Sequence, residues 1–380
     1  MKILFFSNNY GPISFITNQI EQISESHEVL YLATEVTKRS QNFQVEKIEF
    51  HYPLITKKIR DRLEMHQIYL TFRNAQFKRK LVDAIAKFNP DIIHLNFGYE
   101  ALKFLDNYKL KDTTPVIIHF RGYDASQLLK NRSYVARLKN ILSKPNVFSI
   151  AVCKHLIENL YKEKIEFKNT PKVLYSNTDT TFFKRSKSIK LDHNFRLIQI
   201  SSFREKKGHS FTIQALRNYI DKTGDHKITL QLVGLPAGPQ YEKSVFLSQQ
   251  LNLQNNIEFL GQKSQIEIRE LLENAHCAVL HSITPENGDQ EGIPNAIMEA
   301  MSMELPIIST YHAGIPELLS PETFSIMVEE RDVEAYSEAI AKIKDDWSLS
   351  LLNRKRIEQR FSKEQFILSL NQIYTNLIQK

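Results

Sequence analysis

Apolar runs of four to six residues alternate with longer amphipathic stretches along the whole chain, the pattern of buried parallel strands covered by helices. It occurs twice. In the first half the runs are Lys2–Phe6, Val29–Ala33, Ile92–Leu95, Val116–Phe120, Val147–Val152 and Lys172–Tyr175. In the second they are Phe195–Ile200, Ile228–Val233, Ile257–Leu260, Cys277–His281, Pro306–Ser309 and Phe324–Val328, and the charged stretch Lys184–Ser188 between the sets reads as a linker. The expectation is an α/β protein of two Rossmann-like, doubly wound domains, residues 1–186 and 187–360, facing a central cleft with ligands at the carboxyl ends of the strands.

Length and composition agree with that picture: 380 residues, 42% hydrophobic and 24% charged, are enough for two cores. The opening Met1–Asn9 has too short an apolar run for a signal peptide, and no run approaches a membrane span. The expectation is a cytoplasmic chain, peripheral to the cell membrane at most. Cys153 and Cys277 lie far apart without ligand spacing and read as buried thiols. The net charge of +7 is uneven: residues 1–190 hold 31 Lys/Arg against 18 Asp/Glu, while residues 191–380 hold 19 against 25. Residues 51–90 concentrate Lys57, Lys58, Arg60, Arg62, Arg73, Lys78, Arg79 and Lys80 among apolar and aromatic positions. That mixture suits an anionic membrane surface or an anionic acceptor as well as an ordinary solvated helix face. No nucleic-acid motif accompanies the charge.

The densest candidate chemistry lies in Glu291-Gly292-Ile293-Pro294-Asn295-Ala296-Ile297-Met298-Glu299. Pro294 marks a helix start, Gly292 lets backbone approach a ligand, and Glu299 falls about a turn and a half into the helix. One acid then belongs to the loop and the other to the helix, both near its positive end, which suits a ligand carrying hydroxyls and phosphates. A second cluster, Ser201-Ser202-Phe203-Arg204-Glu205-Lys206-Lys207-Gly208-His209, follows a strand and opens a helix, as a phosphate site should. A dinucleotide-dependent dehydrogenase would share the alternation of strands and helices. However, Ser7-Asn8-Asn9-Tyr10-Gly11-Pro12 has one glycine where its fingerprint needs three. No paired His or acidic cluster has metal-ligand spacing, so no metal and no cofactor is expected.

These segments, with His281-Ser282, Leu305–Thr310 and Ala313-Gly314-Ile315-Pro316-Glu317-Leu318, resemble the family-4 retaining glycosyltransferases, particularly those of bacterial exopolysaccharide and colanic-acid-type pathways. The resemblance implies the GT-B fold, with a first, acceptor-binding domain that regains the C-terminal helix, 361–380. It implies a metal-independent transfer from a UDP- or GDP-sugar to a saccharide or lipid-linked saccharide acceptor in surface polysaccharide synthesis. The family's phosphate clamp maps onto Lys207 and, because Ser202 occupies the usual Arg position, onto Arg204. Glu291 takes the position that holds the donor sugar's hydroxyls and Glu299 the one that holds the ribose diol, tasks that require no perturbed pKa. Backbone at Gly292, Ile293 and Asn295 adds sugar contacts, and the base lies near Gly234, Leu260 and Gly261. Asp289 and Glu286 either reach the same sugar or form an exposed acidic loop.

In His119-Phe120-Arg121-Gly122-Tyr123-Asp124 the family's usual His is Arg121, with His119 two residues earlier, and either takes its place. His94 resembles a family strand end and reads first as a packing residue. Asn177 stands for a family Gly in a turn that left-handed backbone would preserve, and Glu304 stands where relatives often have Gly. These departures leave two rivals: a catalytically weak nucleotide-sugar-binding or assembly subunit, and a sugar epimerase of the same fold.

Overall fold

The computed structural model describes residues 1–10, 14–36, 43–47, 68–109, 113–187 and 194–379. It divides into two compact units: Met1–Ala151 with Ile157–Val173 and Ser369–Lys380, and Val152–Leu156 with Leu174–Leu368. Each is built on one parallel sheet.

The first sheet comprises β1 (Lys2–Tyr10), β2 (Glu28–Val36), β3 (Gln44–Lys47), β4 (Ile92–Asn96), β5 (Val116–Phe120), β6 (Val147–Ala151) and β7 (Lys172–Val173), in the order β3-β2-β1-β4-β5-β6-β7. Central strands β4 and β5 are buried at every position, as expected of parallel strands covered on both faces. Tyr374, near the end of helix Lys363–Ile378, is fully buried in this unit and meets His94 Nδ1 through its hydroxyl at 2.6 Å.

The second sheet comprises β8 (Phe195–Ile200), β9 (Ile228–Val233), β10 (Ile257–Gly261), β11 (Cys277–Leu280), β12 (Ile307–Thr310) and β13 (Ser325–Val328), in the order β10-β9-β8-β11-β12-β13. Its core joins Phe195, Leu197 and Leu230 of the sheet to Ile213, Leu216 and Ile220 of helix His209–Thr223, and to Tyr336 and Ile340 of helix Val333–Asp345. The buried Tyr336 hydroxyl donates to the Ile308 carbonyl at 2.9 Å, so its polar end is satisfied.

All twelve anticipated strands are present, most of them shifted by a residue or two at an end. β1 runs on to Tyr10, and β3 was not anticipated: Gln44-Val45-Glu46-Lys47 is a polar strand that, among the described residues, pairs with β2 alone. The final stretch is two helices, Leu351–Arg360 and Lys363–Ile378, separated at Phe361 and Ser362. Of the charged stretch read as a linker, Arg185 and Ser186 are tied down, and Ser188 lies outside the described residues. Arg185 donates to the carbonyls of Met303, Glu273 and Leu272 at 2.9, 2.7 and 3.1 Å, and Ser186 N–H donates to the Glu273 carboxylate. Of the basic stretch, Lys57, Lys58, Arg60 and Arg62 lie outside the described residues, as does the Arg73 side chain. In helix Ile68–Phe88, Lys78 and Arg79 are exposed while Phe77 is buried.

Candidate functional site

A doubly wound sheet opens a crevice where strand order reverses, because neighbouring connections there leave to opposite faces. In the second unit that point lies between β8 and β11. The segments leaving their carboxyl ends are Ser201–Gly208 and His281–Pro294, which carry both motifs singled out from the sequence. The two segments press together. Gly208 has φ +60°, and a Cβ there would stand 1.7 Å from the His281 carbonyl oxygen, so no side chain fits. Ile283 N–H donates to the Lys206 carbonyl at 3.0 Å. From below, buried Gln199 of β8 donates to the Lys207 carbonyl at 2.9 Å and accepts from Thr212 at 2.9 Å, fixing the turn that aims Lys207.

Two ion pairs join the segments. Lys207 Nζ lies 2.7 Å from Glu291 Oε1 and Lys206 Nζ 2.9 Å from Asp289 Oδ1, with all four side chains no more than 16% exposed. Lys206 also donates to the Gln290 carbonyl at 3.2 Å. Burial alone would raise the Glu291 pKa, but Lys207 and Lys206 outweigh it and hold the carboxyl at about 2. Asp289 is therefore a buried partner of Lys206 rather than part of an exposed acidic loop, whereas Glu286 is exposed. Arg204 is exposed, with no side-chain partner among the described residues.

Glu291 is also held by its backbone. Its N–H donates to His312 Nε2 at 3.1 Å, and His312 Nδ1 lies 2.6 Å from Glu330 Oε1. With Nε2 accepting, the ring proton is assigned to Nδ1, facing the carboxylate. Glu330 also accepts from Thr284 N–H at 2.7 Å, and burial notwithstanding, His312 and Thr284 hold it at about 2. Neither His312 nor Glu330 was singled out from the sequence, nor was Lys206 assigned a role. Their partners are distant along the chain, and no spacing rule links them.

Pro294 caps helix Asn295–Ser302 rather than beginning it, a shift of one residue. The first N–H groups of that helix, starting with Asn295, have no intrahelical acceptor and are the donors the motif promised. Gly292 and Ile293 are buried beside them. The Glu299 carboxyl has no hydrogen-bond or ion-pair partner among the described residues, and burial raises it to about 7. The two acids, expected to need no perturbation, are thus displaced in opposite directions: Glu291 stays ionised, while Glu299 titrates near neutrality.

Gly234, Leu260 and Gly261 fall together at the ends of β9 and β10, where Gly234 N–H donates to the Gly261 carbonyl at 3.0 Å. Gly234 has a structural reason as well: a Cβ would stand 2.3 Å from the Ser201 carbonyl. Asn177 has no left-handed backbone, so that turn closes by other means, whereas Glu304 adopts φ 65°, the geometry for which a Gly is suited.

Arg121 lies in the first unit, apart from the residues above by unit. His119 is fully buried, its Nδ1 3.2 Å from His94 Nε2, and burial depresses both imidazoles, His94 to about 3. Neither ring has access to solvent. Arg121, by contrast, is partly exposed at the end of β5 and donates to Asn96 Oδ1 through Nη2 at 2.7 Å. Asp124 fixes the turn by accepting from the N–H groups of Gly98, Arg121 and Gly122 at 2.8, 3.0 and 3.0 Å. Of the two alternatives, Arg121 is the less buried. Burial brings its guanidinium down to about 9, still charged at neutral pH.

Comparison with known proteins agrees with this arrangement. Residues 180–363 match the family model for glycosyl transferases group 1. The chain is 32% identical over 188 residues to a Salmonella typhimurium protein described as the colanic acid biosynthesis glycosyltransferase WcaL, covering 48% of this chain and 44% of that one. It is 29% identical over 191 residues to the amylovoran biosynthesis glycosyltransferase AmsK of Erwinia amylovora, covering 49% and 46%. The matches thus span less than half the length of these relatives. In fold, the chain is similar over 99% of both chains to Anabaena Alr3699/HepE in complex with UDP and glucose, with a TM-score of 0.77 at 18% identity. Both switch-point segments lie inside residues 180–363, the span similar to the group 1 glycosyl transferases, and the two-sheet fold is that of GT-B glycosyltransferase structures.

Proposed function

We propose that this protein is a retaining, metal-independent glycosyltransferase that moves a sugar from a UDP- or GDP-sugar to a saccharide or lipid-linked saccharide acceptor in surface polysaccharide synthesis. The observation that carries the reading is the meeting of Lys207 and Glu291, a phosphate-binding cation and a hydroxyl-binding carboxylate, at the switch point of the second sheet. The naming of WcaL and AmsK for colanic acid and amylovoran biosynthesis supports the polysaccharide setting. The UDP and glucose of the HepE complex support the donor class.

In this reading Arg204, Lys207 and the N-terminus of helix Asn295–Ser302 carry the charge that grows on the departing diphosphate. Glu291, kept ionised, accepts hydrogen bonds from the sugar's hydroxyls, and Glu299 accepts from the ribose diol. The bond between the anomeric carbon and the phosphate oxygen breaks, and the acceptor oxygen bonds to that carbon from the same face. The acceptor proton passes to the departing phosphate oxygen, releasing nucleoside diphosphate. Arg121 is assigned to charge near the reacting carbon on the strength of its motif position and its partial exposure. The placing of the donor's nucleobase near Gly234, Leu260 and Gly261 and the membrane role of residues 51–90 belong to the same proposal. Incubating the purified protein with a panel of nucleotide sugars tests it. Slow release of nucleoside diphosphate, lost in Glu291→Ala and Lys207→Ala, supports the enzyme. Binding without release, even with acceptors present, overturns it in favour of a binding subunit, and isomerised donor identifies an epimerase.

A further inference from the structure

The clamp lysine and the sugar-holding glutamate are not waiting for ligand separately; they hold each other. At 2.7 Å, with side chains 16% and 8% exposed, Lys207 and Glu291 form the kind of shielded ion pair whose partners are costly to strand. An ammonium carries three donors, so Lys207, engaged with Glu291 alone among the described carboxylates, has others to turn toward a ligand. Lys206 differs: it is committed twice, to Asp289 and to the Gln290 carbonyl, and serves as the staple between the two segments. His312 keeps the Glu291 backbone in place whatever its side chain does.

A diphosphate that draws Lys207 away leaves Glu291 as a buried carboxylate stripped of its cation. Bare nucleoside diphosphate offers nothing in return. A nucleotide sugar does, because its hydroxyls donate to the carboxylate as the lysine departs. We propose that the Lys207–Glu291 ion pair is a built-in competitor for the diphosphate, given up at a cost to bare nucleoside diphosphate and more readily to a ligand that brings hydroxyls along with its phosphates. This rests on the donor-site reading above and deepens it. The site selects nucleotide sugar over nucleoside diphosphate, and once the sugar has left, Glu291 reclaims Lys207 and hastens release of the spent nucleotide. Coupling of this kind is reciprocal: whatever occupies Glu291 strengthens the diphosphate's hold on Lys207.

The consequence runs against the usual expectation for a binding-site carboxylate. Removing its charge should tighten one ligand while weakening another. Calorimetric titrations of UDP, GDP and inorganic diphosphate at fixed ionic strength, into wild type, Glu291→Gln, Lys207→Met and the double variant, test this. Glu291→Gln is expected to bind nucleoside diphosphate about fivefold tighter or more, Lys207→Met to bind it more weakly, and the double variant to lose the gain. Nucleotide-sugar turnover should fall in Glu291→Gln despite the tighter product binding. Thermal melts check folding, and Glu291→Ala is read in the same way should the Gln variant melt early. If Lys207→Met weakens binding while Glu291→Gln leaves it equal or weaker, the competitor idea is overturned and the donor site stands. If no diphosphate binds to any form, both readings fall together.

Discussion

Glu299→Gln offers a test in which stability and function move in opposite directions. The carboxyl is held at about 7 against an ordinary value of 4.5, with burial as the cause and no cation among the described residues to compensate. Folding raises this pKa, so the protonated form is the one the native state favours. The associated stability is fully present below 4.5 and is lost as pH rises through 7. At pH 8 the charge costs the free protein about 3 kcal/mol, and at pH 5 only about 1 kcal/mol. A neutral amide of the same shape removes that cost. Glu299→Gln is therefore expected to melt roughly 5–10 °C above wild type at pH 8, with most of the gain gone at pH 5. Donor affinity should fall in the same variant, because the amide cannot accept both hydroxyls of a ribose diol. Differential scanning calorimetry at the two pH values, paired with a nucleotide-sugar titration, reads both. A variant no more stable than wild type at pH 8, or a gain unchanged at pH 5, would refute the reasoning. A carboxylate taking ribose hydroxyls would also have its pKa lowered, so donor binding to wild type near pH 7 should release protons, visible as a binding enthalpy that depends on the buffer.

Arg204→Ala removes an exposed side chain and should leave stability within about 0.5 kcal/mol, yet slow sugar transfer by about a hundredfold or more if the guanidinium meets the leaving group; melts and turnover assays separate the two. His312→Ala strands the Glu291 N–H and takes from Glu330 one of its donors, leaving it Thr284 and Arg331, so we expect a loss of about 1–3 kcal/mol in stability together with a drop in kcat/KM, which chemical denaturation and steady-state kinetics would register. Gly208→Ala combines φ +60° with a Cβ 1.7 Å from the His281 oxygen. It should cost upwards of about 2 kcal/mol or prevent folding, measured as soluble yield and denaturant midpoint.

Legibility followed range along the chain. Val116–Phe120 and Cys277–Leu280 were visible because a strand buried on both faces reads as a near-continuous apolar run, broken only by His119 in the first. Gln44–Lys47 was not, because a strand that pairs, among the described residues, with β2 alone needs no such run. Lys207 and Glu291 were found through motifs that are each local, but their 2.7 Å contact is a product of sheet order, which places β8 beside β11 across eighty intervening residues or so. Nothing in the sequence announced that His312 and Glu330 support Glu291, since each stands in a different loop. Which of His119 and Arg121 lies deeper was likewise a question of burial, which motif spacing cannot express, since residues two apart share one face of a strand.

The central claim is that a donor diphosphate sits where Lys207 meets Glu291. A crystal structure of the protein soaked with UDP or GDP tests it most directly. The account predicts phosphate oxygens within hydrogen-bond distance of Lys207 and Arg204 at the N-terminus of helix Asn295–Ser302, with the Lys207–Glu291 contact opened. Nucleotide bound elsewhere, with that ion pair intact at 2.7 Å, would contradict it.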